Sequence, residues 1–431
     1  MTIASIRRHL PALGLILLLA CSVRIVWISF VRPDPTDGRF DDTVWYRGAA
    51  HFLSLGEGYV NPFTGTPTAG WPPGYPAFLG GVFKLFGEGT WQTSGANVAL
   101  AAATIAVVYA IGALLFERRT AIIAAAALAV WPGQVYFSSL TLSEPLFTFL
   151  FALCVLLLLL VPGVGAWRGA VVLAFGLAVA AATLTRGQAV VLLPLAAVAW
   201  RMSGASWREA LGWGFVTSVV LALALTPWVI RNERLLGSPV IISTNVGANL
   251  WFGHHEGATG RMDPFDPPRA DRALAQPAYE VESDKKAMRK GLAYIVTHPI
   301  DEIRLSGAKV RALYEADSTA LDWNSRYSDE FYGPPSVAAW LRGLANGYWF
   351  AALVLAGAGL AASRTHLRGA IGVLPLTVLA WTAMHILFFG DSRFHYPIVF
   401  TFALLGARGL VVLVEAVRRP EASLDRRYAA A

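Results

Sequence analysis

The sequence predicts an all-α integral membrane protein with about ten transmembrane helices, and three observations support that. Only 15% of the 431 residues are charged, against about a quarter in soluble domains. Apolar runs approaching or exceeding the ~20 residues needed to cross a bilayer recur along the chain. The arginines between those runs fall on alternate connections, as they do where cytoplasmic loops hold positive charge.

The first run, near 9–31, follows Arg7 and Arg8 and has no small-residue cleavage site. It reads as a retained helix, not a removed signal peptide. Further spans fall near 92–116, 119–137, 143–162, 168–184, 187–201, 210–230, 337–361, 369–389 and 395–416; the third, fifth and sixth of the ten are short. With Arg7 and Arg8 inside, the basic connections carry Arg118 and Arg119, then Arg168, then Arg201 and Arg208, then Arg364 and Arg368. The tail adds Arg418, Arg419, Arg426 and Arg427, and the opposite short connections hold only Arg186 and Arg393. Both termini are therefore expected in the cytoplasm. The net charge of +7 is explained by these loops against an anionic leaflet, so no nucleic acid is implied. Fifteen Trp and thirteen Tyr suit interfacial belts. Cys21 and Cys154 both lie inside apolar segments, which supports neither a disulfide framework nor a cysteine metal site.

Two long segments remain outside. The first, 32–91, is rich in Gly and Pro around Trp71-Pro72-Pro73-Gly74-Tyr75-Pro76. Near 43–55 and 77–86 it has helical apolar spacing too short to span, which places both pieces in the interface plane. The second, 231–336, holds 15 of the 28 acidic residues. Its part 276–316 reads as an amphipathic helix broken at His298-Pro299, where proline removes a donor and clashes with the preceding turn. The chain thus divides into a membrane region 1–230 containing the first outer loop, an extracytoplasmic loop region 231–336, and helices with a cytoplasmic tail over 337–431.

The polar residues at outer helix ends come from several connections. They are Asp41, Asp42, Glu144, Arg186, Arg231, His254, His255, Asp391, Arg393 and His395. Ionisable groups at membrane depth cost about 2.5–3.5 kcal/mol each on insertion scales and face a cavity or a partner. Their gathering on one side marks an extracytoplasmic site. Asp42 and Tyr46, four apart, share a helix face. Of the adjacent Asp41 and Asp42, one suits a helix cap, which leaves the other as a candidate base. Glu144, between Ser143 and Pro145, is either a helix-start acid favoured by the dipole or a site residue. Arg186 and Arg393 either snorkel to headgroups or hold a phosphate in the guanidinium fork, and Asp391 is a ready ion-pair partner for Arg393. The pair His254-His255 lacks a third ligand at metal-binding spacing. No cofactor is specified by the sequence, and a divalent metal stays open.

These residues carry a resemblance. The chain resembles the membrane glycosyltransferases of the C superfamily, in particular bacterial relatives of protein mannosyltransferases and of the lipid A aminoarabinose transferase. The matching features, in order, are Asp42 to Tyr46, the Pro-Pro-Gly-Tyr-Pro segment at 72–76, Ser143-Glu144-Pro145-Leu146 and Thr185-Arg186. They continue with Thr226-Pro227-Trp228, Gly247 to Gly260, His298-Pro299 and Asp391 to Pro397. The resemblance implies a polyprenyl-phosphate-linked sugar as donor and a lipid, glycan or protein acceptor. It implies Asp42 as base with Asp41 as rival, Glu144 as a second acid, Arg186 and Arg393 on the donor phosphate, and Tyr46, Tyr75, His395 and Tyr396 on the substrate. This chain has Asp-Asp where the protein mannosyltransferases have Asp-Glu and lacks their large soluble insert, which weighs against a protein acceptor. No phosphate-cradling Walker motif is present, in keeping with a lipid-linked donor. The Ala- and Arg-rich usage points to a high-GC bacterium, whose inner membrane would supply an undecaprenyl or decaprenyl carrier. A secondary transporter or lipid flippase is the alternative, against which the outer-edge placement of the charges counts, since transporters put ionisable groups near the midplane.

Overall fold

The structure, a computed structural model, describes residues 10–31, 41–262, 267–326 and 335–428. Arg7 and Arg8, on which the topology starts, and residues 32–40 of the first outer loop lie outside them, as do the side chains of Arg419, Arg426 and Arg427. The chain begins with α1 (Leu10–Val31), α2 (Asp42–Leu55), α3 (Gly74–Phe86), α4 (Thr90–Leu115), α5 (Arg118–Ala129), α6 (Pro132–Tyr136), α7 (Glu144–Leu160) and α8 (Arg168–Thr185). It continues through α9 (Leu192–Met202), α10 (Trp207–Leu236), α11 (Val246–Gly253), α12 (Ala278–Thr297), α13 (Pro299–Tyr314), α14 (Thr319–Ser325), α15 (Pro335–Ala362), α16 (Val373–Ile386) and α17 (Val399–Tyr428). Among the described residues the only β pairing is an isolated bridge between Val60 and Pro67.

Among the described residues, seven helical segments are long and apolar enough to cross a membrane, or eight if α5 and α6 count as one bent span. The expected ten are therefore not all present as full spans. The segments Gly187–Met202 and Ala370–Ile386 are apolar but short, below the ~20 residues that a bilayer crossing needs. The third expected span is broken, α5 meeting the next helical stretch at 50°.

That break has an identifiable support. Pro132 starts the second piece and leaves the last carbonyls of α5 without helical partners. Arg24, 1% exposed in the middle of α1, fills the gap. Its Nη1 donates to Ala129 O at 2.8 Å and its Nη2 to Leu128 O at 3.3 Å. A lone arginine in an apolar span thus serves the backbone of a neighbouring helix. Arg24→Met should lower stability by about 1.5–3 kcal/mol, the range for hydrogen bonds to charged groups. A thermal melt in detergent with an unchanged midpoint would contradict that role.

Close helix contacts rest on glycine. A Cβ on Gly359 would lie 1.9 Å from Leu405 O, and one on Gly409 would lie 2.2 Å from Leu355 O. Those two positions let α15 and α17 pack backbone to backbone, as small residues do between membrane helices. Helices α2 and α3 pack side by side, Tyr46 against Tyr75 and Gly80 against Ala50 and Leu53, and Leu55, Leu85 and Phe86 at their C-terminal ends are exposed. The helical stretches expected at 43–55 and 77–86 are present, and the 276–316 helix breaks at His298 as expected.

In the 231–336 segment, α12 packs on α11 at Gly247, where a Cβ would sit 2.0 Å from Asp284 O. Asp284 Oδ1 accepts Gly247 N at 2.6 Å. Burial raises the Asp284 pKa from 3.8 to about 6, although hydrogen bonds from the Gly247 and Ala248 amides oppose it. A carboxyl raised on folding binds more protons in the native state between those two values, so stability falls as pH rises through them. The segment should therefore be more stable at pH 4 than at pH 7, on the order of 2–3 kcal/mol at 1.36 kcal/mol per unit. Hydrogen exchange of α11 and α12 at the two pH values would show it. Asp284→Asn should remove the difference.

Candidate active site

The cluster begins at a helix start. Asp41 has extended backbone, and its Oδ1 accepts Thr43 N at 3.0 Å and Val44 N at 3.3 Å, the geometry of an N-cap. Asp42 is then the first helical residue, and its carboxylate is left for other partners. Oδ1 accepts the Trp71 indole N–H at 3.2 Å, and Oδ2 lies 2.9 Å from Arg393 Nη2. The Asp42 side chain keeps 22% exposure.

Arg393 reaches Asp42 because a 3₁₀ turn over Ser392–Ile398 presents it. Asp391 caps that turn, accepting the Arg393 backbone N–H at 2.8 Å. Asp391 therefore holds the main chain, and the guanidinium crosses to Asp42. It is stacked over Trp323 (5.2 Å) and Phe394 (5.1 Å). Its Nε stands 3.8 Å from Glu144 Oε1.

Glu144 opens α7 and is fully buried. Arg186 Nη2 approaches its Oε1 at 2.6 Å, with the N–H not aimed at the oxygen, so the contact is an ion pair more than a hydrogen bond. Arg186 Nε donates to Ser143 Oγ at 2.9 Å, and Tyr46 OH donates to the same oxygen at 3.4 Å. Tyr75 packs edge-on against Tyr46 at 5.0 Å. Gly74 makes this assembly physically close, since a Cβ there would lie 2.7 Å from the Leu184 and Thr185 backbone. The first loop is thereby seated directly on the end of α8 that delivers Arg186.

Two carboxylates and two guanidiniums thus alternate through one part-buried site, and their charges cancel within it. At the site, four buried polar atoms take no hydrogen bond among the described residues: Tyr75 OH, Glu144 Oε1 and Oε2, and Arg393 Nη1. Chemically, the site offers a carboxylate at its more exposed edge with cations behind it. That arrangement can take a proton at Asp42 and stabilise a growing anion beside Arg393 and Arg186. As for a metal, no three His, Cys, Asp or Glu side chains among the described residues are grouped to hold one. Asp42 and Glu144 are each already paired with a guanidinium, so the donor set does not fit one.

Residues 71–230 match the family model described as dolichyl-phosphate-mannose-protein mannosyltransferase. No curated protein matches the chain. Among solved structures, the oligosaccharyltransferase AglB of Archaeoglobus fulgidus, in complex with an inhibitory peptide and a dolichol-phosphate, superposes at TM-score 0.54 with 16% identity. It covers 99% of this chain and 52% of its own. The apo form of the Archaeoglobus fulgidus oligosaccharyltransferase gives TM-score 0.54, 15% identity, 97% and 52%. The chain shares the fold of this archaeal membrane enzyme. It spans about half the length of the archaeal enzyme. ArnT of Cupriavidus metallidurans bound to undecaprenyl phosphate is also similar, at TM-score 0.41 and 16% identity, over 92% of this chain and 78% of that one.

Within this fold, the structure brings together Asp42, Glu144, Arg186, Arg393, Tyr46 and Tyr75. It does not bring His395 or Tyr396 to the site, which corrects their expected place on the substrate. His395 is fully buried and stacks on Trp349 at 4.2 Å. Both ring nitrogens are engaged, Nδ1 with Leu313 O at 2.7 Å and Nε2 with Asp317 Oδ1 at 3.0 Å. Asp317 in turn accepts the Trp131 indole N–H at 2.7 Å, so His395 ties α13 to the membrane bundle. Tyr396 is 4% exposed and packs on Phe137 at 4.2 Å.

The remaining outer polar residues are structural as well. Arg231 donates to the Thr68 and Tyr59 carbonyls and pins the first loop to α10. His254 contacts Glu302, the Leu387 carbonyl and Lys309. Burial lowers the pKa of Lys309 to about 8, against the pull of Glu302. Sequence reasoning missed Lys309 and the role of Trp71. The second had a signal in its place at the head of the Pro-Pro-Gly-Tyr-Pro run.

Proposed function

We propose that the chain is a glycosyltransferase that moves one sugar from a polyprenyl-phosphate carrier to an acceptor hydroxyl or amine at the extracytoplasmic face of the membrane. The observation that carries this is the division of the acidic pair. Asp41 caps α2, and Asp42 stands free of the cap at the exposed edge of a site whose far side is cationic. The match of residues 71–230 to a mannosyltransferase family and the dolichol-phosphate bound to the archaeal fold relative support a lipid-phosphate donor. The extracytoplasmic side is supported by the arginine-poor connections that meet here, set against those bearing Arg118, Arg119, Arg168, Arg201, Arg208, Arg364 and Arg368.

In the reaction, the acceptor oxygen or nitrogen attacks C1 of the sugar from the face opposite the phosphate. The new bond to C1 forms as the C1–O bond to phosphate breaks, inverting the anomeric centre. The proton goes to Asp42, and the electron pair leaves with the phosphate. Arg393 and Arg186 stabilise the charge that grows there, which fixed cations do best away from water. A phosphate arriving at Arg393 competes with Asp42 Oδ2 for the same guanidinium, and so would release the carboxylate for its work as a base.

The test is incubation of purified protein with a labelled polyprenyl-phosphate sugar, reading free polyprenyl phosphate and labelled product. A transporter would move the lipid without cleaving it, and that result would replace this reading. Arg186→Lys keeps the charge and loses the fork. It should raise the donor KM about 10- to 100-fold, the equivalent of one charged hydrogen bond. A donor KM equal to that of the unaltered protein would remove Arg186 from the phosphate.

A further inference from the structure

We propose that a cavity of about 300 Å³ between the first outer loop and α12 is the acceptor subsite, and that it takes a saccharide. This rests on the reading of Asp42 as base and names the substrate class that meets it. Trp71 joins the two places. Its indole lines the cavity, and its N–H donates to Asp42 Oδ1 at 3.2 Å. Trp45 fixes that indole from behind, with ring centroids 4.1 Å apart. A ring seated on Trp71 therefore has its substituents beside the carboxylate.

The lining indicates what that ring is. Asn61, Asn245, Gln276, Tyr279 and Ser283 line the cavity and are neutral; Arg269 is the cation on the wall and is already engaged. Asn61 Oδ1 accepts Phe63 N and Asn245 Oδ1 accepts the Ser243 hydroxyl, leaving both amide NH₂ groups unused. The Gln276 and Tyr279 side chains make no hydrogen bond among the described residues. The acids on the wall are already engaged. Glu280 accepts the Thr68 hydroxyl at 2.6 Å, Ala69 N at 2.9 Å and the Thr244 hydroxyl, while Asp284 accepts Gly247 N. An amine would find both carboxylates taken. Unused amide and hydroxyl groups around an indole face suit a neutral, hydroxyl-rich ring with one apolar side. The volume is at the small end of ligand sites, which run from about 300 to 1,000 Å³. It fits a sugar residue or two better than an extended peptide.

The probes are fluorescently labelled neutral di- to tetrasaccharides of hexoses and pentoses, with neutral tetrapeptides bearing the same label alongside. They are offered to the full-length protein in detergent without donor. Saccharides should bind and peptides should not, and Gln276→Ala or Tyr279→Ala should weaken saccharide binding tenfold or more. Neither side chain holds the fold by a hydrogen bond, and a melting curve for each variant confirms that it is folded. No saccharide bound, binding indifferent to both variants, or peptides bound in their place would overturn the subsite. Because this arm contains no donor, it separates the two readings. Saccharide binding with no cleavage of any donor would remove the transfer reaction and keep the subsite. Donor cleavage with no saccharide bound would do the reverse.

Discussion

Asp42→Asn should fold, insert and lose sugar transfer by about a hundred- to ten-thousandfold, the range a positioned general base supplies. The asparagine keeps an oxygen for the Trp71 N–H and removes only the charge facing Arg393. That ion pair is part-exposed, so its loss should cost only ~1 kcal/mol of stability. Asp41 should answer differently. Asparagine caps a helix about as well as aspartate, so Asp41→Asn should change neither melting nor rate. Asp41→Ala should cost ~1 kcal/mol as the Thr43 and Val44 amides lose their acceptor. Transfer assays and melts on the three variants decide the matter. An inactive Asp41→Asn beside an active Asp42→Asn would move the base by one residue. Activity in both asparagine variants would leave the acidic pair with no part in the chemistry.

How much of this was legible beforehand follows from what the sequence encodes locally. Seven spans could be read because lipid demands about 20 apolar residues in a row, and α1, α4, α7, α8, α10, α15 and α17 supply them. The break before Pro132 was not legible, because what makes it tolerable is Arg24, a residue on another helix. Hydropathy registers Arg24 only as a blemish in α1. Alternation of arginines placed Asp42, Glu144, Arg186 and Arg393 on one side, but parity says nothing about contact. Which aspartate caps α2 was undecidable locally, since both suit an N-cap. Trp71 and Arg393, distant in sequence, hold Asp42. The same limit explains His395 and Tyr396. They neighbour Arg393 in sequence, yet their side chains enter a packed layer with Trp349 and Phe137.

Glu144→Ala should produce the largest loss of stability in this cluster. The carboxylate has no exposure, with Arg186 Nη2 at 2.6 Å and Arg393 Nε at 3.8 Å from the same oxygen. Without it, two guanidiniums share a buried space with only Asp42 as counter-charge. Removing one partner of a buried ion pair costs about 3–5 kcal/mol. Glu144→Gln keeps the volume and should fall between Ala and the unaltered protein. Adding Arg186→Gln to Glu144→Gln should recover part of the loss, because deleting both partners of a buried pair is often close to neutral. Two contacting residues should couple by about 0.5–3 kcal/mol in such a cycle. Melting temperatures of the two single variants and the double variant measure that term directly. Transfer activity should not return with stability in the double variant, since the donor phosphate would still lack Arg186. If instead Glu144→Gln melts like the unaltered protein and is inactive, the carboxylate acts in the reaction and is not merely the counter-charge for two arginines.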